Sequence, residues 1–226
     1  MATIIGSLQN RVTPTGDIVA VPHRGTFTGN RGIIHDPATR TLLARRWTSK
    51  AWIVCVCEFR GRRRDVMATR SWTELFFLDE ATALAAGHRP CYHCRRADAD
   101  AFRLAWERGN GRGNARASEI DSVLHGERLD GRAKRLHPLL TPLEELPDGA
   151  MVQAEGASYL IAGARALLWT FDGYREASLS LADARLITPP STVRALQAGY
   201  LATLHESAAS LVPRQSKKKI CERSTQ

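Results

Sequence analysis

Two pairs of cysteines constrain this chain more than any other feature. Cys91-Tyr92-His93-Cys94 sets two thiols at C-x2-C spacing, which lets both converge on one metal ion from a tight turn. Upstream, Cys55 and Cys57 flank Val56 in the apolar run from Trp52 to Phe59. Alternate residues of a strand point the same way, so this pair could face the first. Four cysteines in two close pairs match the ligand count of a closed, tetrahedral structural zinc site. We therefore expect structural Zn2+ on Cys55, Cys57, Cys91 and Cys94. His88 and His93 stand in reserve should one strand cysteine belong to the core. A thiolate exposed at such a metal would instead act as a nucleophile, and the apolar strand around Cys55 argues against that.

The surroundings of the second pair carry a family resemblance. Phe76-Phe77-Leu78-Asp79-Glu80-Ala81 leads into Ala85-Ala86-Gly87-His88-Arg89-Pro90-Cys91, with Cys94-Arg95-Arg96 after it. This resembles the second half of the Ada-type zinc domain of bacterial proteins that repair methylated DNA phosphates. The shared pattern is an aromatic strand end, a short Ala-rich helix, Gly-aromatic-Arg-Pro, then C-x2-C and basic residues; His88 occupies the aromatic place. It covers about residues 72–96. The chain departs from the family in its first pair, which is C-x-C in an apolar run, not C-x3-C in a loop. The resemblance implies zinc, DNA as partner and a DNA-damage setting, and carries zinc binding over more directly than alkyl transfer to a cysteine.

The charge points the same way. Among 226 residues, 32 basic and 23 acidic side chains give a formal net charge of +9. Lysine occurs only at positions 50, 134, 217, 218 and 219, so arginine dominates, and its planar fork suits phosphate and stacked bases. A GC-rich genome would explain that ratio but not the clustering. Between Arg40 and Arg64 the only acid is Glu58, and Arg60, Arg62, Arg63 and Arg64 read as the tip of a hairpin beyond the cysteine strand. No run of 18 apolar residues and no signal-like N-terminus is visible, so we expect a cytoplasmic protein without a membrane partner. Five cysteines in such a chain favour metal or free thiols over disulfides, with Cys221 a bystander in the basic tail.

Turn signals and periodicity predict an α+β protein. We expect a zinc-stapled β-rich N-terminal lobe over 1–110, then helices and a smaller β-rich C-terminal part over 111–212, then a basic disordered tail over 213–226. Strands are expected at 52–59, near 65–69, at 74–78 and within 150–188. Helices are expected at 80–86, with Asp79 as N-cap, at 97–108, from Ser118 to about Leu136, and from Pro190 to about His205. The Gly-rich break Gly109–Arg116 is the candidate boundary.

Two constellations could carry acid–base chemistry. In the loop Arg24–Asp36, Asn30 and Arg31 sit between glycines, where they could read a base edge or hold a phosphate, and His35 adjoins Asp36. The plain alternative is an ordinary Gly-Asn turn. On the helix after Ser118, Asp121 and His125 are four residues apart and Arg128 lies three further on, a stripe that could activate water and hold an anion. Here the alternative is Asp121 completing a capping box with Ser118. Tyr159, Trp169, Phe171, Tyr174 and Tyr200 could stack an unpaired base or form core.

The reading that follows is an enzyme acting on damaged or modified DNA, in repair or in defence against foreign DNA. Its expected reaction is glycosylase-type base excision, with Asp121, His125, His35 and Asp36 as acid–base groups. Asn30, Arg31, Arg60, Arg62, Arg63, Arg64, Arg95, Arg96 and Arg128 would hold the DNA. A zinc-thiolate alkyl acceptor, a nuclease and a non-catalytic DNA-binding protein are the alternatives, and no obligate protein partner is visible.

Overall fold

The computed structural model describes residues 6–61, 65–177 and 183–211. Arg62, Arg63, Arg64, Cys221 and the expected tail lie outside the described residues. The chain runs β1 (Gln9–Val12), β2 (Ile18–Ala20), β3 (Phe27–Asn30), β4 (His35–Asp36), β5 (Thr41–Leu42), β6 (Ile53–Val56) and β7 (Leu75–Phe77). Next come α1 (Glu80–Ala85), β8 (Arg89–Pro90), α2 (Arg96–Asn110), α3 (Ala117–Arg128), β9 (Leu129–Asp130) and β10 (Ala133–Lys134). The C-terminal part holds β11 (Met151–Ala154), β12 (Ala157–Ala162), β13 (Arg165–Thr170), β14 (Gly173–Glu176), β15 (Arg185–Leu186), α4 (Pro190–Gln197) and α5 (Glu206–Leu211). This is the expected α+β order: a strand-rich N-terminal region, helices, then a β-rich C-terminal part.

Two sheets frame the molecule. The first orders its strands β2-β1-β7-β3-β6-β8 and the second β14-β13-β12-β11-β15. Between them sits α1. Asp79 caps it, accepting from the Thr82 backbone N–H at 2.8 Å and from the Thr82 hydroxyl at 2.7 Å. Every residue of α1 is buried, and its alanines allow close approach on several sides at once. Ala83 and Ala86 pack with Val54, Leu75 and Phe77 of the first sheet. Ala81 and Ala85 meet Met151 and Leu160 of the second. Leu84 joins Phe102 and Trp106 of α2.

Buried polar bonds weld the same helix to the C-terminal end of the chain. Tyr174 donates to Asp79 at 2.9 Å and Tyr200 to Glu80 at 2.6 Å. The largest apolar cluster joins α2 residues to Ile120, Leu124 and strands β11 and β12, so it crosses the expected boundary near residue 110. Among the described residues no helix is long and apolar enough to cross a membrane.

Several expected elements changed. No strand forms at 65–69; β6 pairs instead with β3 and β8. The turn there is held by the Glu74 carboxylate, which accepts the Met67 N–H at 2.9 Å. The helix from Ser118 ends at Arg128 and gives way to the β9–β10 hairpin across Gly131. The last expected helix stops at Gln197, and a separate short helix, α5, begins only at Glu206.

Candidate functional site

The sheet alternation positions the cysteines. Thr28 pairs with Cys55 and Asn30 with Ile53, while Thr28 also pairs with Phe76. These residues therefore share one face of the first sheet. The parallel bridge of β8 to β6 then carries the chain so that the Cys91 N–H donates to the Val54 carbonyl at 3.0 Å. This sets the C-x2-C turn beside Cys55. The sulfur atoms of Cys55, Cys91 and Cys94 all lie within 4.8 Å of one another, a group that could hold a metal ion. Cys55 and Cys91 are buried and Cys94 half-buried.

The charge state of the three thiols is coupled. A hydrogen bond from Cys55, with backbone N–H donors of His93 and Cys94, pulls the Cys91 thiol down to about 5. The same bond to Cys91, then burial, pushes Cys55 up, and burial pushes Cys94 up. A metal cation would favour the thiolate form of all three.

Cys57 stands outside this group. The strand ends at Val56, so the alternation that would have aimed Cys57 beside Cys55 stops one residue short of it. Its exposed thiol donates to the Thr26 carbonyl at 3.4 Å. His88 is no reserve ligand: it is fully buried on the other side, its Nε2 accepting from Arg31 at 3.3 Å and its ring against Trp52 and Phe77. Burial, then Arg31 and Arg128, push it well below the usual histidine range, so it is neutral. His93 stays on the metal side, its ring edge-on to Phe59 at 5.1 Å.

The three thiols open onto a cleft of about 1020 Å³. Its walls bring together Arg24 and Asn30, the rings of Phe59, Trp72 and Phe76, and the carboxylates Glu58 and Glu74. Cys57 and His93 line it too.

No family model, curated protein or solved structure matches this chain.

The residues expected to do acid–base chemistry are mostly engaged in holding the fold. Asp121 gives both carboxylate oxygens to Arg89, each at 2.8 Å, and both side chains are about 7% exposed. It ties α3 to β8 and so braces the C-x2-C turn. The capping box expected of Ser118 and Asp121 does not form; the helix starts one residue earlier, and Glu119 accepts the Arg116 backbone N–H at 2.6 Å. His125 accepts from Arg128 through Nδ1 at 2.9 Å and meets Trp47 edge-on. His35 is buried between the Thr73 hydroxyl at 2.6 Å and the Thr69 carbonyl at 3.1 Å, which pins the 69–73 loop. The Thr69 carbonyl can only accept, so Nε2 donates to it. Asp36 closes a turn by accepting the Ala38 N–H at 2.9 Å.

The expected DNA contacts divide. Arg95 is buried in ion pairs with Glu80 at 2.8 Å and Asp98 at 2.9 Å, so it braces α2 and is not free for DNA. Arg96 and Arg60 are exposed. Asn30 lines the cleft, while its neighbour Arg31 points to the opposite face with Arg128. Of the aromatic residues, Tyr159, Tyr174 and Tyr200 are core. Sequence reasoning missed Glu74, Trp72, Phe59 and Phe76 as cleft walls; the signal for three of them was the two-residue spacing of Trp72, Glu74 and Phe76 leading into β7, while Phe59 lies beyond the end of β6.

Proposed function

We propose that this chain acts on modified DNA in the cleft beside Cys55, Cys91 and Cys94, with those three thiolates holding zinc. The observation that carries the reading is the lining of that cleft. A volume of about 1020 Å³ suits an extruded nucleotide, Phe59, Trp72 and Phe76 offer stacking faces, and Arg24 and Asn30 offer donors to phosphate or a base edge. The net charge of +9 and the resemblance of residues 72–96 to the Ada-type zinc domain support DNA as the partner.

The reaction we favour is hydrolytic base excision. The bond from sugar C1′ to the base nitrogen breaks, water supplies hydroxide to C1′, and its proton leaves with the base. The carboxylates able to stabilise the sugar cation from within the cleft are Glu74 and Glu58, which take the place of Asp121, His125, His35 and Asp36. One observation favours a second reading. Three clustered thiols leave a tetrahedral ion one further position, and the exposed Cys57 borders the same cleft. A cysteine there could take a methyl group from a phosphotriester oxygen, leaving the phosphodiester anion.

The test incubates zinc-loaded protein with plain, alkylated and hypermodified duplexes and reads both protein and DNA by mass spectrometry. Loss of a base supports excision, and that product should disappear in Glu74→Gln. A methyl gained on the protein supports alkyl transfer. No change in either molecule with any duplex overturns the catalytic reading and leaves a DNA-binding protein.

A further inference from the structure

The other face of the first sheet carries a different site. Arg31 follows cleft residue Asn30, and Trp52 precedes cleft residue Ile53, so both point away from the metal side. There they wall a partly enclosed pocket of about 120 Å³ with Arg46, Arg128, Arg132 and Lys134. Five cations thus share one small pocket, and the single carboxylate on its wall is Asp17.

Three of those cations reach the pocket from different parts of the chain. Arg31 is 2% exposed; its Nη1 donates to the Gly16 carbonyl at 2.9 Å and its Nε to His88. Arg128 is 1% exposed and donates to the carbonyls of Gly87 and Lys50, each at 2.9 Å. Both guanidiniums lie against the Trp52 ring, at 4.0 and 3.8 Å from its centroid. Lys134 Nζ donates to the Ala85 carbonyl at the end of α1. Among the described residues, none of the three has a carboxylate within ion-pair distance. Arg31 Nη2 and Arg128 Nε are buried without any hydrogen-bond partner.

A fold needs no such cluster for itself. Carbonyls and an indole hold the guanidiniums in place, but they leave the charges unneutralised and mutually repelling. The cost shows on each member. Burial, then Arg128, pushes Arg31 down to about 9; burial pushes Arg128 down to about 9; burial, then Arg31 and Arg128, pushes Lys134 down to about 7. An anion would remove the repulsion and satisfy the orphaned N–H groups together. Gly16 adds a steric sign: a Cβ there would stand 3.4 Å from Arg31 Nη2, and its φ of +89° excludes most side chains. The pocket is far smaller than the several hundred Å³ typical of sites for whole small-molecule ligands, so it suits one compact oxyanion. Several donors from three directions match a tetrahedral group with many lone pairs.

We propose that this pocket binds a single phosphate group between Arg31, Arg128 and Lys134, either as inorganic phosphate or as the terminal phosphate of a nucleic-acid strand. The site uses no residue of the metal cleft, so it stands or falls apart from the DNA reading of that cleft.

Calorimetry on the full-length protein at constant ionic strength tests it, with inorganic phosphate and with one short oligonucleotide carrying either a 5′-phosphate or a 5′-hydroxyl. Phosphate should bind at one site per chain and raise the melting temperature. Lys134→Met should weaken that binding about tenfold or more while zinc content and circular dichroism stay unchanged. Should Lys134→Met not fold, the rim pair Arg46→Gln with Arg132→Gln is judged by the same loss. Tighter binding of the 5′-phosphorylated strand than of both the 5′-hydroxyl strand and inorganic phosphate assigns the group to nucleic acid; binding of inorganic phosphate alone assigns it to the free ion. Either upholds the pocket. Absence of phosphate binding in the wild type, equal stabilisation by chloride, or unchanged affinity in a folded variant overturns it.

Discussion

The two faces of the first sheet are built from the same strands and differ in almost every chemical respect. Asn30 and Ile53 look into a wide cleft with three thiols and several aromatic rings; Arg31 and Trp52, each one residue away, look into a small cationic pocket. On the cleft side β8 delivers Cys91 and Cys94 beside Cys55, so the sulfur atoms can share one ion. On the reverse side Arg31, Arg128 and Lys134 converge, and among the described residues none of them has a carboxylate within ion-pair distance. The lesson is that a period of two partitions neighbouring residues into sites with opposite needs. One face gathers thiols that could hold a cation, and the other gathers the guanidiniums between which we propose an anion.

Removing either kind of support should break this contrast in a graded way. The largest effect is expected from Cys91→Ser. Metal analysis should show zinc lost, and the melting temperature should fall by roughly 10 °C or more, since a structural metal contributes directly to folding. Unchanged zinc content would remove the metal from the cleft side. Asp121→Ala comes next. It leaves Arg89 buried without its carboxylate, at a cost of about 3–5 kcal/mol, visible as a shifted denaturation midpoint. A shift under about 1 kcal/mol would show that the pair does not brace the C-x2-C turn.

The pH response sharpens the reverse face. Lys134 sits near 7 in the folded protein against its ordinary 10.5, so between those values the unfolded chain holds a proton that the folded chain lacks. Stability from this group therefore rises with pH across that window, and below pH 7 the charged lysine exerts its full repulsion on Arg31 and Arg128. In phosphate-free buffer, the melting temperature of the wild type relative to Lys134→Met should climb by a few degrees from pH 7 to 9. A flat difference would mean that burial and the two arginines do not hold the lysine below its ordinary value. Above about pH 9 Arg31 and Arg128 add contributions of the same sign. The smallest effect is expected from Cys57→Ser. Zinc should be retained and stability changed by less than about 1 kcal/mol, because this exposed thiol makes only weak bonds to the carbonyls of Gly25 and Thr26. Loss of zinc in that variant would make Cys57 the fourth ligand.

Much of the N-terminal fold was legible in the residues. Asp79 followed by an Ala-rich stretch and Gly87 specified α1 with its cap, because capping and the left-handed C-terminal glycine are local events. The C-x2-C turn was equally plain, since its spacing alone brings two sulfur atoms together. Assigning Cys57 to the metal relied on the strand continuing past Val56, and strand ends are set by pairing partners that no short window contains. The Asp121–His125 stripe misled for a related reason. Helical spacing says which residues share a face, but not that Arg89, 32 residues earlier, reaches that face and takes both carboxylate oxygens. His35 beside Asp36 read as an acid–base pair, whereas the Thr73 hydroxyl and the Thr69 carbonyl hold the imidazole in the core.

What the sequence determined by itself is local: the cysteine turn, the capped Ala-rich helix, the arginine-dominated charge and the α+β order of elements. These follow from spacing, capping and composition, which act within a few residues. Tertiary structure alone decided that Cys55 without Cys57 joins Cys91 and Cys94, that Arg95 and Asp121 brace the fold, and that Arg31, Arg128 and Lys134 meet at one pocket. Those outcomes depend on strand register and on which buried charge finds a partner, and both are settled only when distant segments pack together.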